Sequence, residues 1–204
     1  MGPRGNLEVS VKTPSRRLSR IAAAALAIAA VFGASAAQAA DTDTAEAEAE
    51  ILIPLSISKD VDLDFGQIAG PTTAGTVILT PTPVETCSTT GGLLRVGNCQ
   101  AAQFTGWGSP NQIIRINLPN LPITLTNTNP AYPGTTMQMT GRSIDGDPSL
   151  SYVSGNVNAN GVVRYEIIEP SGVFGFRIGG TLSVGANQEP GVYQGTFTVT
   201  VSYQ

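Results

Sequence analysis

Asp60, Asp62 and Asp64 stand at every second position, a run of potential cation ligands. The D-x-D-x-D spacing is that of calcium loops, whose carboxylate oxygens converge on a hard cation. An EF-hand loop also needs glycine at its sixth position and glutamate at its twelfth, and here those positions hold Phe65 and Pro71. In an extended strand, alternate side chains share a face about 6–7 Å apart. The three carboxylates therefore read as a solvated acidic face that also guards a sheet edge against mispairing. Asp145 and Asp147 stand beside glycine and proline and read as turn formers. No metal site is expected.

Catalysis has little to work with. Glu166 and Glu169 are the one close pair of glutamates near aromatic residues, the pairing that glycoside hydrolysis uses. Three apart on a strand, they face opposite sides. The chain has no histidine, the usual general base, and no G-x-S-x-G motif. Gly179-Gly180 follow no phosphate-binding pattern and read as tight strand bends. Neither enzymatic activity nor a cofactor is expected. Trp107, between two glycines, and Tyr132, between two prolines, have the type of sugar-stacking aromatics, although a lone aromatic in a small β-domain more often packs.

Cys87 and Cys99 are the only cysteines. In an oxidising compartment they would pair, closing a loop of about 13 residues worth up to roughly 3 kcal/mol. The compartment is suggested by the first 39 residues. Arg4, Lys12, Arg16, Arg17 and Arg20 make a basic start, Ile21 to Phe32 is unbroken and apolar, and Ala37-Gln38-Ala39 supplies small residues at a cleavage site. This is the three-part pattern of a secretory signal peptide, expected over residues 1–39, with an apolar run shorter than the roughly 20 residues of a spanning helix. The leader holds five of the 11 Lys+Arg and one of the 15 Asp+Glu, so the mature chain carries 6 − 14 = −8. That charge disfavours nucleic acid and anionic membranes as partners. No transmembrane segment is expected in the mature chain.

The elements that would position these residues are strands. From Ala45 to Phe65 the odd positions are apolar: Ala45, Ala47, Ala49, Ile51, Ile53, Leu55 and Ile57, then Val61, Leu63 and Phe65 after a break at Lys59. The even positions are mostly acidic or hydroxylic, so the stretch reads as a long strand with one oily edge. Residues 40–50 form a flexible acidic extension, because alanine buries too little area to offset ordering the backbone. Residues 51–204 form the domain, with four aliphatic side chains of Ile51–Ile57 expected in its core. GTVILT (75–80), QIIRINL (112–118), LPITLT (121–126), VVRYEII (162–168), 173–178 and 181–184 read as further strands. Asp145-Gly146 and Asn160-Gly161 are hairpin-type turn signals. The clearest alternation closes the chain: Tyr193, Phe197, Val199, Val201 and Tyr203 on one side of a strand over 191–204, threonines and glutamine on the other. Roughly ten short strands with glycine and proline punctuation predict an all-β antiparallel sandwich or barrel.

Pro54-Leu55-Ser56-Ile57, Leu63-Asp64-Phe65-Gly66, Thr89-Thr90-Gly91-Gly92, Leu125-Thr126-Asn127, Gly179 to Val184 and Gly191 to Tyr203 together resemble an exported bacterial family, the domain of unknown function numbered 4402. The family is similar in pattern to subunits of chaperone–usher fimbriae. The resemblance implies an immunoglobulin-like, pilin-like sandwich with an N-terminal extension, exported through the inner membrane to the periplasm and then the cell surface. It implies self-association into fibres by donor-strand complementation, with a periplasmic chaperone and an outer-membrane usher as partners. Residues 41–57 suit the donor role, and Ile51–Ile57 equally suit the first strand of their own domain. A monomeric secreted or outer-membrane-associated binding module, such as a carbohydrate-binding adhesin, is the alternative.

Overall fold

The computed structural model describes residues 43–69, 72–118 and 120–204. The predicted signal peptide 1–39 and residues 40–42 lie outside the described residues. Asp43–Ala47 are exposed and belong to neither helix nor strand. Glu48–Gln204 is one compact unit.

That unit is built from antiparallel strands. In chain order they are β1 (Ser56–Val61), β2 (Gln67–Ile68), β3 (Gly75–Thr80), β4 (Thr86–Thr89), β5 (Arg95–Val96), β6 (Ala102–Trp107) and β7 (Ile113–Asn117). Then come β8 (Ile123–Asn127), β9 (Thr136–Gly146), β10 (Leu150–Asn156), β11 (Val162–Ile167), β12 (Val173–Val184), β13 (Tyr193–Gln194) and β14 (Thr200–Tyr203). One helical turn, α1 (Val157–Asn160), joins β10 to β11. It is capped by the Asn156 side chain and ended by Gly161 in the left-handed region, at φ 72°.

The larger sheet runs β1-β6-β12-β9-β8-β13, with β3 and β4 added where β12 outlasts β6. The smaller runs β10-β11-β7-β14, and β2-β5 is a separate pair. The two main sheets face each other as a β-sandwich. Phe104, Phe174, Phe176 and Ile178 from the larger sheet meet Ile114, Ile116, Tyr165 and Ile167 from the smaller. The rings of Phe104 and Phe176 stack at 5.1 Å. A second core, with Val77, Leu79, Met139, Leu182 and Phe65, lies under the β3 end of the larger sheet. Both cores follow from strict alternation, as in β12, where every even residue from Phe174 to Val184 is buried.

Four expectations are corrected. The strand expected over 51–57 starts only at Ser56, because Ser56 opposite Trp107 is the last rung that β6 offers. Ile51 (97% exposed) and Ile53 (50%) therefore lie outside the core, and only Leu55 and Ile57 pack on it. The closing strand over 191–204 is two strands in different sheets, β13 on β8 and β14 on β7, with 195–199 crossing between them. Gly179-Gly180 do not interrupt the strand. They sit inside β12, where a Cβ on Gly180 would lie 2.1 Å from Met139 Cε and 2.6 Å from the Gly141 carbonyl. Asp145-Gly146 belong to β9, and the hairpin turn falls later, at Pro148-Ser149.

Candidate functional site

β1 and β13 are the two ends of the larger sheet's strand order, and each pairs on one side only, β1 with β6 and β13 with β8. The sheet curls enough that both ends border one cleft of about 1000 Å³. Lys59, Asp62 and Leu63 form one bank, and residues 193–199 the other. Among the described residues, no strand pairs with 195–199. The apolar lining comes from Leu63, Ala102, Phe104, Leu125, Phe197 and Val199. Threonines 124, 126, 196 and 198 supply hydroxyls. A second cleft, of about 470 Å³, shares Leu63, Leu125 and Tyr193 with the first and extends the lining to Phe65, Met137 and Leu182. An unpaired backbone edge beside apolar pockets is the geometry that accepts an added strand.

The donor-strand candidates divide at Ile53. Its N–H donates to Ser109 Oγ at 2.6 Å, and its carbonyl accepts from the Tyr203 hydroxyl at 2.7 Å. Tyr203 in turn accepts from the buried Ser109 N–H at 2.7 Å, closing a ring of three residues. Leu55 and Ile57, beyond this clasp, pack against their own domain. Ala45, Ala47, Ala49 and Ile51, before it, are exposed. In the closing segment Tyr193, Phe197, Val199, Val201 and Tyr203 are all half-buried, and the last four pack on the main core. No sequence pattern links Ile53, Ser109 and Tyr203, so the clasp was not legible beforehand.

The sequence candidates for chemistry do not converge. Asp60 accepts from Thr105 Oγ1 at 2.6 Å, Asp62 pairs with Lys59, and Asp64 accepts from the Gly66 N–H at 2.8 Å. Among the described residues, no three carboxylate or cysteine groups gather to hold a metal ion. Glu166 lies in β11, and Glu169 follows in an exposed turn. Asp145 faces Arg177 at 3.8 Å. Burial raises the Asp145 carboxyl above its ordinary range; Arg177 opposes this and Asp147 adds to it. Burial also raises the Tyr165 hydroxyl, with the Asp145 charge as the next cause. Tyr132 is half-buried, whereas Trp107 is 46% exposed, against the packing expected of it.

Cys87 and Cys99 form a disulfide, tying β4 to the residue before the Gln100–Asp64 bridge. A disulfide is compatible with an exported protein. No helix among the described residues is long and apolar enough to cross a membrane. These features define an antiparallel β-sandwich domain, stapled by one disulfide and left open along one seam. Residues 55–203 match the family described as Domain of unknown function (DUF4402), and the chain belongs to that family. The match starts at Leu55, so residues before the clasp fall outside it. No curated protein and no solved structure matches the chain.

Proposed function

We propose that the mature chain is an exported structural subunit that assembles head to tail, residues 45–51 of one copy entering the open seam of the next. The reading rests on one observation. The cleft between β1 and residues 193–199 offers unpaired edges and an apolar floor, while the same chain carries an exposed alternating segment ending in Ile51. Burying the Ile51 side chain would contribute about 1.5–3 kcal/mol, with strand-edge hydrogen bonds supplying register. The contact joins two different surfaces, so it does not close on itself, and repetition gives a fibre of the pilus type at the cell surface. A periplasmic chaperone that covers the seam and an outer-membrane usher fit this scheme, and no enzymatic step is needed.

The test compares the mature chain with one lacking residues 40–52. The intact chain is expected to give detergent-resistant ladders and visible fibres, and the shortened chain only monomers. Adding the 43–53 peptide to the shortened chain is expected to raise its Tm. A monodisperse intact chain, with a shortened form indifferent to the peptide, removes the proposal.

A further inference from the structure

The strands that bound the seam also present an outer face. Along β6, Phe104 lines the cleft, while Thr105 and Trp107 alternate to the other side. Trp107 lies across from Ser56 on β1 and Val173 on β12, and neither is large enough to cover an indole. Two residues along, Thr105 lies between Ser58 and Gly175. At Gly175 a Cβ would stand 2.3 Å from Asp147 Oδ2, so the missing side chain is what admits that carboxylate over the sheet. Asp147 Oδ1 is held by the Ser149 N–H at 2.9 Å and by the Ser149 hydroxyl. Thr105 is oriented by donating to Asp60.

Thr105, Asp147, Ser149 and Gly175 line a depression of about 340 Å³ together with Glu169, Ser171 and Val173. Its volume is at the low end of the roughly 300–1000 Å³ of small-molecule sites. Trp107 adjoins it through its neighbour Val173. An open aromatic face beside several carboxylate and hydroxyl acceptors suits one chemistry in particular. A sugar ring can lay its C–H face on the indole and donate its hydroxyls to the carboxylates. The carboxylates would repel phosphates, sialic acids and uronic acids.

We infer that this outer face, from Trp107 to the Gly175 depression with Asp147 and Glu169, binds a neutral hexose unit of a glycan. The site is separate from the seam and stands whether or not the subunit polymerises.

Trp107 is the only tryptophan in the chain, so intrinsic fluorescence reports on this face alone. The mature protein is titrated with the methyl glycosides of glucose, galactose, mannose and N-acetylglucosamine, and with methyl glucuronide. At least one neutral glycoside is expected to change the emission saturably and to protect the indole from iodide quenching, while the glucuronide does neither. Glu169→Gln, an exposed change, is expected to weaken binding several-fold, and Gly175→Val, which fills the depression, to abolish it. An unchanged thermal melt shows that a variant is folded, and Glu169→Gln decides alone should Gly175→Val misfold. The inference is overturned if no neutral glycoside gives a saturable change at up to about ten times a millimolar Kd. It is equally overturned if a change appears and Glu169→Gln leaves it intact, or if glucuronide binds as well as the neutral sugars.

Discussion

Removing one oxygen tests the clasp that anchors the extension. Tyr203→Phe keeps the ring that packs on the main core and deletes the hydroxyl. That hydroxyl serves two backbone groups, accepting from the Ser109 N–H and donating to the Ile53 carbonyl, each at 2.7 Å. The two losses are unequal. The Ile53 carbonyl is on an exposed residue and can turn to water, whereas Ser109 is 7% exposed and its N–H is left without an acceptor. A stranded buried donor costs about 1–3 kcal/mol. For a domain of this size, Tm should fall by roughly 2–4 °C per kcal/mol. Ser109→Ala removes the acceptor for the Ile53 N–H, and because the three groups form one ring, the double variant should lose less than the sum of the singles. Thermal melts give the stabilities, hydrogen exchange at the Ser109 amide reports the stranded donor, and limited proteolysis near residues 53–55 reports release of the extension. The reasoning fails if Tyr203→Phe leaves both the Tm and the Ser109 amide protection unchanged, or if the singles add fully.

Three further outcomes can be checked separately. Replacing Cys87 and Cys99 together by serine should cost up to about 3 kcal/mol, read as a lower urea midpoint, because the bridge closes a short loop across 12 positions. Asp145 has a folded-state pKa raised mainly by burial, so its contribution is present at acid pH and is lost as pH rises through that value. Asp145→Asn should therefore gain on the native chain between pH 3 and 7, and a pH-independent difference between their urea midpoints would refute the assignment. The raised Tyr165 hydroxyl acts likewise in the alkaline range, where the unfolded chain ionises at about pH 10 and the folded one resists. Tyr165→Phe should flatten the loss of stability above that pH in thermal melts.

Much of the fold was legible because alternation needs only a buried side and a wet side. Val77 and Leu79, Ile114 and Ile116, and Val163, Tyr165 and Ile167 are buried at every second position, as their segments announce. Alternation does not say which strand lies alongside. Tyr193 to Tyr203 keeps one inward side throughout, yet its backbone leaves β8, crosses unpaired and joins β7. Gly179-Gly180 read as a bend, but inside a long central strand Gly179 admits the close approach of Leu79 and Gly180 that of Met139 and Gly141. The alternation of Ile51 and Ile53 was visible, whereas the end of β6 at Trp107, which leaves them without a partner strand, was not. Trp107 itself was misread, because its exposure is set by the sizes of Ser56 and Val173 on strands far from it in the sequence.

The crossing of residues 195–199 bears on when the domain can form. Residues 193–203 act as a suture, stitching β8 in one layer to β7 in the other while delivering Phe197, Val199, Val201 and Tyr203 to the interior. Until it is laid down, neither layer has its final border and the interior lacks part of its filling. The suture's partners, Thr126-Asn127 and Ile114–Asn117, lie more than 60 residues away in sequence, so closure of the two layers waits on contacts among the slowest for a chain to find.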